Sequence, residues 1–299
     1  MRRQSANTGG AIDVTAPRLA EPASPDTRPR GSGELVKRIL SALVAAPVAL
    51  AAVWFGSPWF EFLIALVLLL GAHEWTRLCG LTLRGGAAPV WGTPLLTLLT
   101  AAFAEPPWAL AVLAAGTAIG ALQQGNKAGL GRPGRWAAGG AALLGATALS
   151  ALYLRIWVPD GAATILWLLA VVWAADIGAY FAGRAIGGPK LAPAISPGKT
   201  WSGFAGGMAL ALLVGGAGGW LKAGDASLAA VAVALLVALA SVVGDLLESW
   251  VKRRFGAKDS GAIMPGHGGV LDRIDGLLTA LPILAIIALL VGGDPVTWR

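Results

Sequence analysis

The 299-residue chain is 56% hydrophobic and only 13% charged, about half of the roughly 25% charged share of an ordinary soluble domain. One compact core could not bury so many apolar side chains behind so few charges. The composition therefore excludes a soluble globular enzyme, a disordered chain and a fibrous repeat. The single cysteine, Cys79, excludes an intramolecular disulfide framework and a cysteine-rich zinc site. We expect a protein whose surroundings are mostly lipid.

In chain order, residues 1–33 form an arginine-containing segment with no apolar period, and we predict a disordered cytoplasmic tail. Apolar stretches long enough to cross a bilayer then recur. They predict an all-α, polytopic membrane protein with N-terminal transmembrane helices over 34–158 and a C-terminal transmembrane region over 159–299, in which the chemistry-bearing residues described below lie. The nine predicted transmembrane helices lie at about 37–56, 58–78, 88–104, 107–123, 136–157, 162–182, 202–221, 226–248 and 276–293.

The net charge of +7 is explained by the positive-inside rule, under which Lys and Arg accumulate in cytoplasmic loops. With nine spans and a cytoplasmic N-terminus, 20 of the 23 Lys and Arg residues fall in cytoplasmic segments. This asymmetry predicts an external C-terminus. No basic face with interleaved aromatic residues is present, so we expect no nucleic-acid partner.

Carboxylates inside or at the ends of apolar helices are the main functional signal. Asp176, Asp245 and Glu248 lie near the predicted cytoplasmic ends of their helices. A carboxylate at mid-bilayer costs roughly 2.5–3.5 kcal/mol on insertion scales, so such residues are functional by default. Asp176 has a second interpretation of equal weight, as a buried hydrogen-bond partner between helices. Glu248 is expected to pair with a nearby cation.

The helical spacing places several of these groups on shared faces. Asp245, Ser249 and Lys252 follow i, i+4, i+7 and form one stripe. Asp272 and Asp275 are spaced i, i+3 at the start of the ninth helix. A few carboxylates completed by phosphate oxygens and water describe a Mg²⁺ site that handles phosphates.

Two segments on the same predicted side carry cations, glycines and hydroxyls suited to an anion. One runs from Lys252 to Gly269 and includes Lys258 and His267. The other is a predicted loop over 187–200 that offers Ser196, Lys199 and Thr200. His73 and Glu74, at the inner end of the second span, are interpreted as interfacial packing residues.

The stretch 249–275 resembles the signature of the phosphatidate cytidylyltransferase family, also called CDP-diacylglycerol synthases. The matching residues are Ser249, Val251, Lys252, Arg253, Lys258, Asp259, Gly261, Pro265, His267, Gly268, Gly269, Val270, Asp272, Arg273, Ile274 and Asp275. The upstream stretches 176–180 and 191–200 resemble the same family, whereas the N-terminal half resembles it only as generic membrane helices.

The resemblance implies cytidylyl transfer from CTP to phosphatidate, yielding CDP-diacylglycerol and pyrophosphate. It implies Mg²⁺, with K⁺ as a candidate second ion, and a homodimer in the bacterial cell (inner) membrane with a cytoplasmic active site. We expect metal ligands at Asp245, Asp272, Asp275 and Ser249, and catalytic roles for these three aspartates with Lys252, Arg273 and His267. The expected substrate-binding residues are Ser196, Lys199, Thr200, Ser249, Arg253, Lys258, Asp259, Gly268, Gly269 and Asp176.

Three alternatives compete with this hypothesis. Intramembrane carboxylates also mark ion pathways, so a cation-coupled transporter is one of them. Transporters typically contain inverted repeats meeting at the midplane, and none is evident here. A CDP-alcohol phosphatidyltransferase would need a paired-aspartate pattern that the chain lacks. A related cytidylyltransferase acting on a different lipid phosphate also fits the residues.

Overall fold

The computed structural model describes residues 32–123, 133–224, 228–263 and 268–297. In the first helix, side chains are described from Leu43 onward. The tail predicted over 1–33 therefore lies almost wholly outside the described residues. In the described part, the α-helices are α1 (Ser32–Phe55), α2 (Trp59–Leu78), α3 (Ala87–Phe103), α4 (Pro106–Ala121), α5 (Pro133–Leu152), α6 (Gly161–Ile186), α7 (Trp201–Ala223), α8 (Leu228–Arg254), α9 (Leu271–Ile274) and α10 (Leu277–Val291).

The helical membrane architecture agrees with the sequence expectation. Five helical segments of the described chain are long and apolar enough to cross a membrane, namely Trp59–Leu78, Pro133–Trp157, Gly161–Ile186, Trp201–Lys222 and Leu228–Arg254. Four shorter apolar helices, Leu43–Phe55, Ala87–Phe103, Pro106–Ala121 and Leu277–Val291, overlap the remaining predicted spans. The count of nine transmembrane helices and the sides of the termini stay predictions.

Close packing of small residues joins α6 to α7. A Cβ atom added to Gly178 would lie 2.6 Å from the carbonyl oxygen of Gly206, and one added to Gly207 would lie 2.6 Å from that of Ala175. Small residues let two helix backbones approach to this separation. The contact brings the C-terminal half of α6 against the start of α7, where the charged residues lie.

Residues 187–200 are not the simple loop that the sequence suggested. Strands β1 (Lys190–Ala192) and β2 (Ser196–Thr200) pair antiparallel, with Lys190 opposite Thr200 and Ala192 opposite Ser196. Prolines at 189, 193 and 197 exclude helix and favour extended backbone. The all-α expectation agrees with the fold as a whole, to which the described residues add one short hairpin that reaches the N-terminus of α7.

The bundle separates its charges between two ends. At one end Lys222 of α7 contacts Asp294, which follows α10, at 2.9 Å, and donates to Thr164 of α6 at 2.6 Å. Asp245, Glu248 and Lys252 lie toward the C-terminus of α8, at the opposite end of the adjacent antiparallel helix. Between the two ends lies an apolar core that includes the fully buried Leu144, Leu168 and Leu284.

Candidate active site

A cavity of about 400 Å³ opens among α6, β2, α7 and α8. Its polar lining includes Asp176, Arg184, Lys199, Thr200 and Asp245. The rest of its wall is largely apolar and includes Leu191, Phe204, Met208 and Val242. The cavity therefore combines charged side chains of both signs with an apolar wall.

Lys199 and Asp245 form an ion pair in this cavity. The Lys199 Nζ atom lies 2.5 Å from Asp245 Oδ2, and both side chains remain partly exposed. Ser249 donates to Asp245 Oδ1 at 3.3 Å, as expected for residues four apart on one helix face. The hairpin and α8, which are distant in sequence, thus meet at Asp245.

Asp275 is the second carboxylate near this point. Its carbonyl group packs against Gly244, where no side chain could fit, and its Oδ1 atom accepts the Gly276 N–H at 2.7 Å. Burial, and after it the nearby negative charge of Asp245, raise the pKa of Asp275 to about 7, with a smaller contribution from Asp176. The carboxylates of Asp176, Asp245 and Asp275, from α6, α8 and the residues just before α10, therefore lie close enough to interact electrostatically.

Lys252 is buried between two carboxylates. Its Nζ atom lies 2.6 Å from Asp272 Oδ1 and forms an ion pair with Glu248 one turn earlier in α8. The expected pairing of Glu248 with a cation is thus confirmed. The sequence predicts a catalytic role for Lys252. In the structure, its ammonium group is paired with the carboxylates of Glu248 and Asp272.

The Asp272 carboxylate accepts hydrogen bonds from one side chain and two backbone N–H groups. Besides Lys252, the backbone N–H groups of Ser260 and Gly269 donate to its carboxylate, at 3.1 Å and 2.8 Å respectively. Burial acts to raise the pKa of Asp272, but the bonds from Lys252 and Gly269 outweigh it and hold this pKa below the ordinary value. Gly268, at φ +82°, allows this approach, because a Cβ atom there would lie 2.8 Å from Asp272 Oδ2.

Glu74 is the residue that sequence reasoning missed. It is only 1% exposed, and its carboxylate accepts the N–H groups of Val270 and Leu271 at 2.9 Å and 2.8 Å. The interpretation of Glu74 as an interfacial packing residue is therefore wrong, whereas His73 does pack against the ring of Trp91. The sequence did contain a signal for Glu74, because this residue, like Asp176, is a carboxylate within an apolar helix.

The other predicted site residues lie around the Lys199–Asp245 pair and the Lys252–Asp272 pair. Thr200 caps α7 by accepting the Gly203 N–H at 3.1 Å. Arg253 donates to the carbonyl groups of Ile195 and Ala257, which ties the hairpin turn to the end of α8. Ser196 lies half-buried at the start of β2, and three charged residues are exposed, namely Lys258, Asp259 and Arg273. His267 lies outside the described residues.

The residues fit a Mg²⁺ ion that is shared with a substrate. Among the described residues, no three His, Cys, Asp or Glu side chains gather tightly enough to form a metal site made of protein alone. Mg²⁺ is usually held by one or two carboxylates together with water and substrate phosphates. The partly exposed Asp245 carboxylate, facing Asp275 and Asp176, offers that donor set.

Fold and site together describe a helical membrane protein with paired charged side chains beside a cavity at one end of its bundle. Residues 36–291 match the model of the Cytidylyltransferase family. Because this match covers most of the chain, the protein belongs to the cytidylyltransferase family. Membership favours nucleotidyl transfer over the transporter and CDP-alcohol phosphatidyltransferase alternatives.

Three similar bacterial proteins are all described as phosphatidate cytidylyltransferases. The phosphatidate cytidylyltransferase of Brucella suis biovar 1 (strain 1330) is 42% identical over 261 residues, covering 84% of this chain and 92% of that protein. The phosphatidate cytidylyltransferase of Pseudomonas aeruginosa is 39% identical over 266 residues, with coverage of 85% and 96%. That of Haemophilus influenzae is 46% identical over 126 residues, with coverage of 40% and 44%.

Proposed function

We propose that this protein transfers a cytidylyl group from CTP to phosphatidate, giving CDP-diacylglycerol and pyrophosphate. The observation that supports this most directly is the cavity in which Lys199 and Asp245 pair beside an apolar wall. The family membership and the shared description of the similar proteins support the same reaction. A soluble nucleotide and a lipid both need access to such a site, and its position at a helix end suits both.

The chemistry is a displacement at phosphorus. An oxygen of the phosphatidate phosphate forms a bond to the α-phosphorus of CTP, and the bond from that phosphorus to the β-bridging oxygen breaks, releasing pyrophosphate. A phosphate monoester carries about −1.5 to −2 charge near neutral pH, so the two substrates repel each other. Catalysis therefore depends on positioning and charge stabilisation and needs no covalent nucleophile.

Named residues supply these effects. Lys199, beside Asp245, neutralises phosphate charge in the cavity. Arg184 and Arg273 are further cations near this pair. Asp245 and Asp275 would hold Mg²⁺ with Ser249 alongside, and Asp272 would join them as a further ligand on exchanging its internal hydrogen bonds for the ion. When bound, Mg²⁺ supplies the positive charge that brings the phosphates together, and K⁺ stays a candidate second ion.

The site is assigned to the cytoplasmic side on charge. Under the nine-span topology predicted from the sequence, the segments assigned to the same side as Asp245 and Lys252 hold 20 of the 23 Lys and Arg residues, and such residues favour cytoplasmic loops. Residence in a bacterial inner membrane and a homodimeric state follow from the family resemblance. Cysteine labelling of the exposed Lys258 position in inside-out and right-side-out vesicles tests the side.

The activity is tested with purified protein in phosphatidate-containing mixed micelles. CTP, ATP, GTP and UTP are supplied separately, with Mg²⁺ or with EDTA, and lipid product and pyrophosphate are measured. We expect CDP-diacylglycerol and an equal amount of pyrophosphate with CTP and Mg²⁺ only. Failure to form this lipid under any of these conditions contradicts the proposed function, and a different preferred lipid phosphate identifies the related-substrate alternative.

Replacement of the cavity lysine should impair catalysis strongly. We expect Lys199→Met to lower kcat/KM for CTP by about 100-fold, because a preorganised positive group is lost beside three carboxylates. Lys190→Met is the matched control, since it removes an exposed lysine from the same hairpin, and it should change kcat/KM by about twofold or less. Equal effects of the two substitutions would contradict the role of Lys199.

A further inference from the structure

Glu74 joins the N-terminal half of the protein to the C-terminal signature. It lies in the last turns of α2, whereas its three hydrogen-bond donors among the described residues lie between Ser260 and Leu271. In the described residues, no Lys, Arg or His side chain makes an ion pair with it. Each carboxylate oxygen is instead used by the chain: Oε1 accepts from Val270, and Oε2 accepts from Leu271 and from the Ser260 hydroxyl at 3.2 Å.

The contacts of Glu74 lie on both sides of residues 264–267. Ser260 precedes that segment, and Val270 and Leu271 follow it. Asp272 bonds to the same two flanks, through the N–H groups of Ser260 and Gly269. Two carboxylates, one from α2 and one from α9, therefore hold the two flanks together.

The glycines beside Glu74 are explained by this contact. A Cβ atom on Gly261 would lie 2.5 Å from Glu74 Oε1, and one on Gly269 would lie 2.5 Å from Oε2 and closer still to the Ser260 hydroxyl that donates to Glu74. These separations are too short for any side chain, so both positions require glycine while Glu74 is in place. In this structure, the Gly269 N–H and its neighbours meet the internal anions Asp272 and Glu74.

We propose that Glu74 is a positioning residue for cytidylyl transfer. By accepting the Val270 and Leu271 N–H groups, it sets the start of α9. The position of α9 determines where Asp272 meets Lys252 and where Asp275 packs against Gly244, the neighbour of Asp245. This inference rests on the proposed roles of Asp245 and Asp275, and it adds a residue from outside the signature to the reaction.

The test compares Glu74→Gln with the wild-type protein. The amide keeps the size of the side chain but presents an NH₂ group to one of three donors, so at least one hydrogen bond is lost. We expect kcat to fall by about 10- to 100-fold, as for other groups that orient a site from behind, while KM for CTP changes by about threefold or less. Ser260→Ala, which removes one donor and leaves the carboxylate intact, should cause a smaller loss.

Hydrogen–deuterium exchange supplies the readout that separates positioning from general destabilisation. In Glu74→Gln, we expect faster exchange in peptides covering 268–276 and unchanged exchange in α6 and α7. Unchanged exchange at 268–276, faster exchange throughout the protein, or kcat within about twofold of wild type would each overturn the proposal. The wild-type protein is assayed in parallel. If the wild type shows no turnover, the cytidylyltransferase assignment itself has failed, and this result differs from failure of the Glu74 proposal.

Discussion

Asp275→Asn is expected to lower kcat by at least about 100-fold while the protein still inserts and folds. The substitution removes a negative charge that faces Asp245 at the proposed Mg²⁺ site, and loss of one preorganised electrostatic group costs about 100- to 1,000-fold. Shape is retained, because the Asn carbonyl oxygen can still accept the Gly276 N–H, now bonded at 2.7 Å. Turnover near that of wild type would contradict a metal-holding role for Asp275.

A stability measurement without Mg²⁺ distinguishes lost chemistry from lost folding. Burial and the charge of Asp245 raise the pKa of Asp275 from 3.8 to about 7, so its ionisation opposes folding. This penalty is complete above pH 7, and it declines as the pH falls toward 4. We therefore expect Asp275→Asn to raise the Tm in EDTA, with a larger gain at pH 8 than at pH 5.

Asp160→Asn is the matched control for Asp275→Asn. Asp160 is exposed at the other end of the bundle and adopts a left-handed conformation at φ +51°, which Asn also tolerates. The control should leave kcat unchanged. A similar loss of kcat in both variants would show that the effect of Asp275→Asn does not arise at the site.

The second large effect is expected for Lys252→Met. Removal of this buried cation leaves the carboxylates of Glu248 and Asp272 facing each other without a counter-charge, and both are almost fully buried. Breaking a buried ion pair by removing one partner costs about 3–5 kcal/mol. We expect a large fall in the free energy of unfolding, measured in detergent micelles, together with loss of turnover.

A second substitution separates the two consequences. Glu248→Gln combined with Lys252→Met removes one of the two uncompensated charges, so stability should be partly restored while turnover stays low. Arg254→Met is the stability control, because this exposed cation lies at the end of the same helix and should change the unfolding free energy by about 0.5 kcal/mol or less. Full recovery of turnover in the double variant would show that Lys252 serves only to balance charge.

Several local features were predictable because they depend on residues close in sequence. The i, i+4 spacing of Asp245 and Ser249 predicted a shared helix face, and their hydrogen bond agrees with it. Glycine-rich stretches predicted close helix packing, which α6 and α7 show. The hairpin over 190–200 was missed, because two strands of three and five residues carry little periodic signal.

The proposed metal site illustrates the limit of helical spacing. The i, i+3 relation of Asp272 and Asp275 predicts that both serve one ion, which stays a prediction, and the partners that the fold gives the two residues differ. Asp272 bonds to Lys252 and to the backbone at Ser260 and Gly269, whereas Asp275 faces Asp245. Sequence spacing defines neighbours on one helix and contains no information on what approaches that helix from elsewhere.

The sequence alone determined the membrane class, the apolar segments and the signature residues, because hydrophobic length and residue type act through local physics. Only the tertiary structure decided which charges pair. Lys199 reaches Asp245 from a hairpin 46 positions earlier in the chain, and Glu74 reaches Leu271 across 197 positions. Such contacts depend on how helices pack in three dimensions, and a buried carboxylate takes whichever donors that packing brings within hydrogen-bond distance.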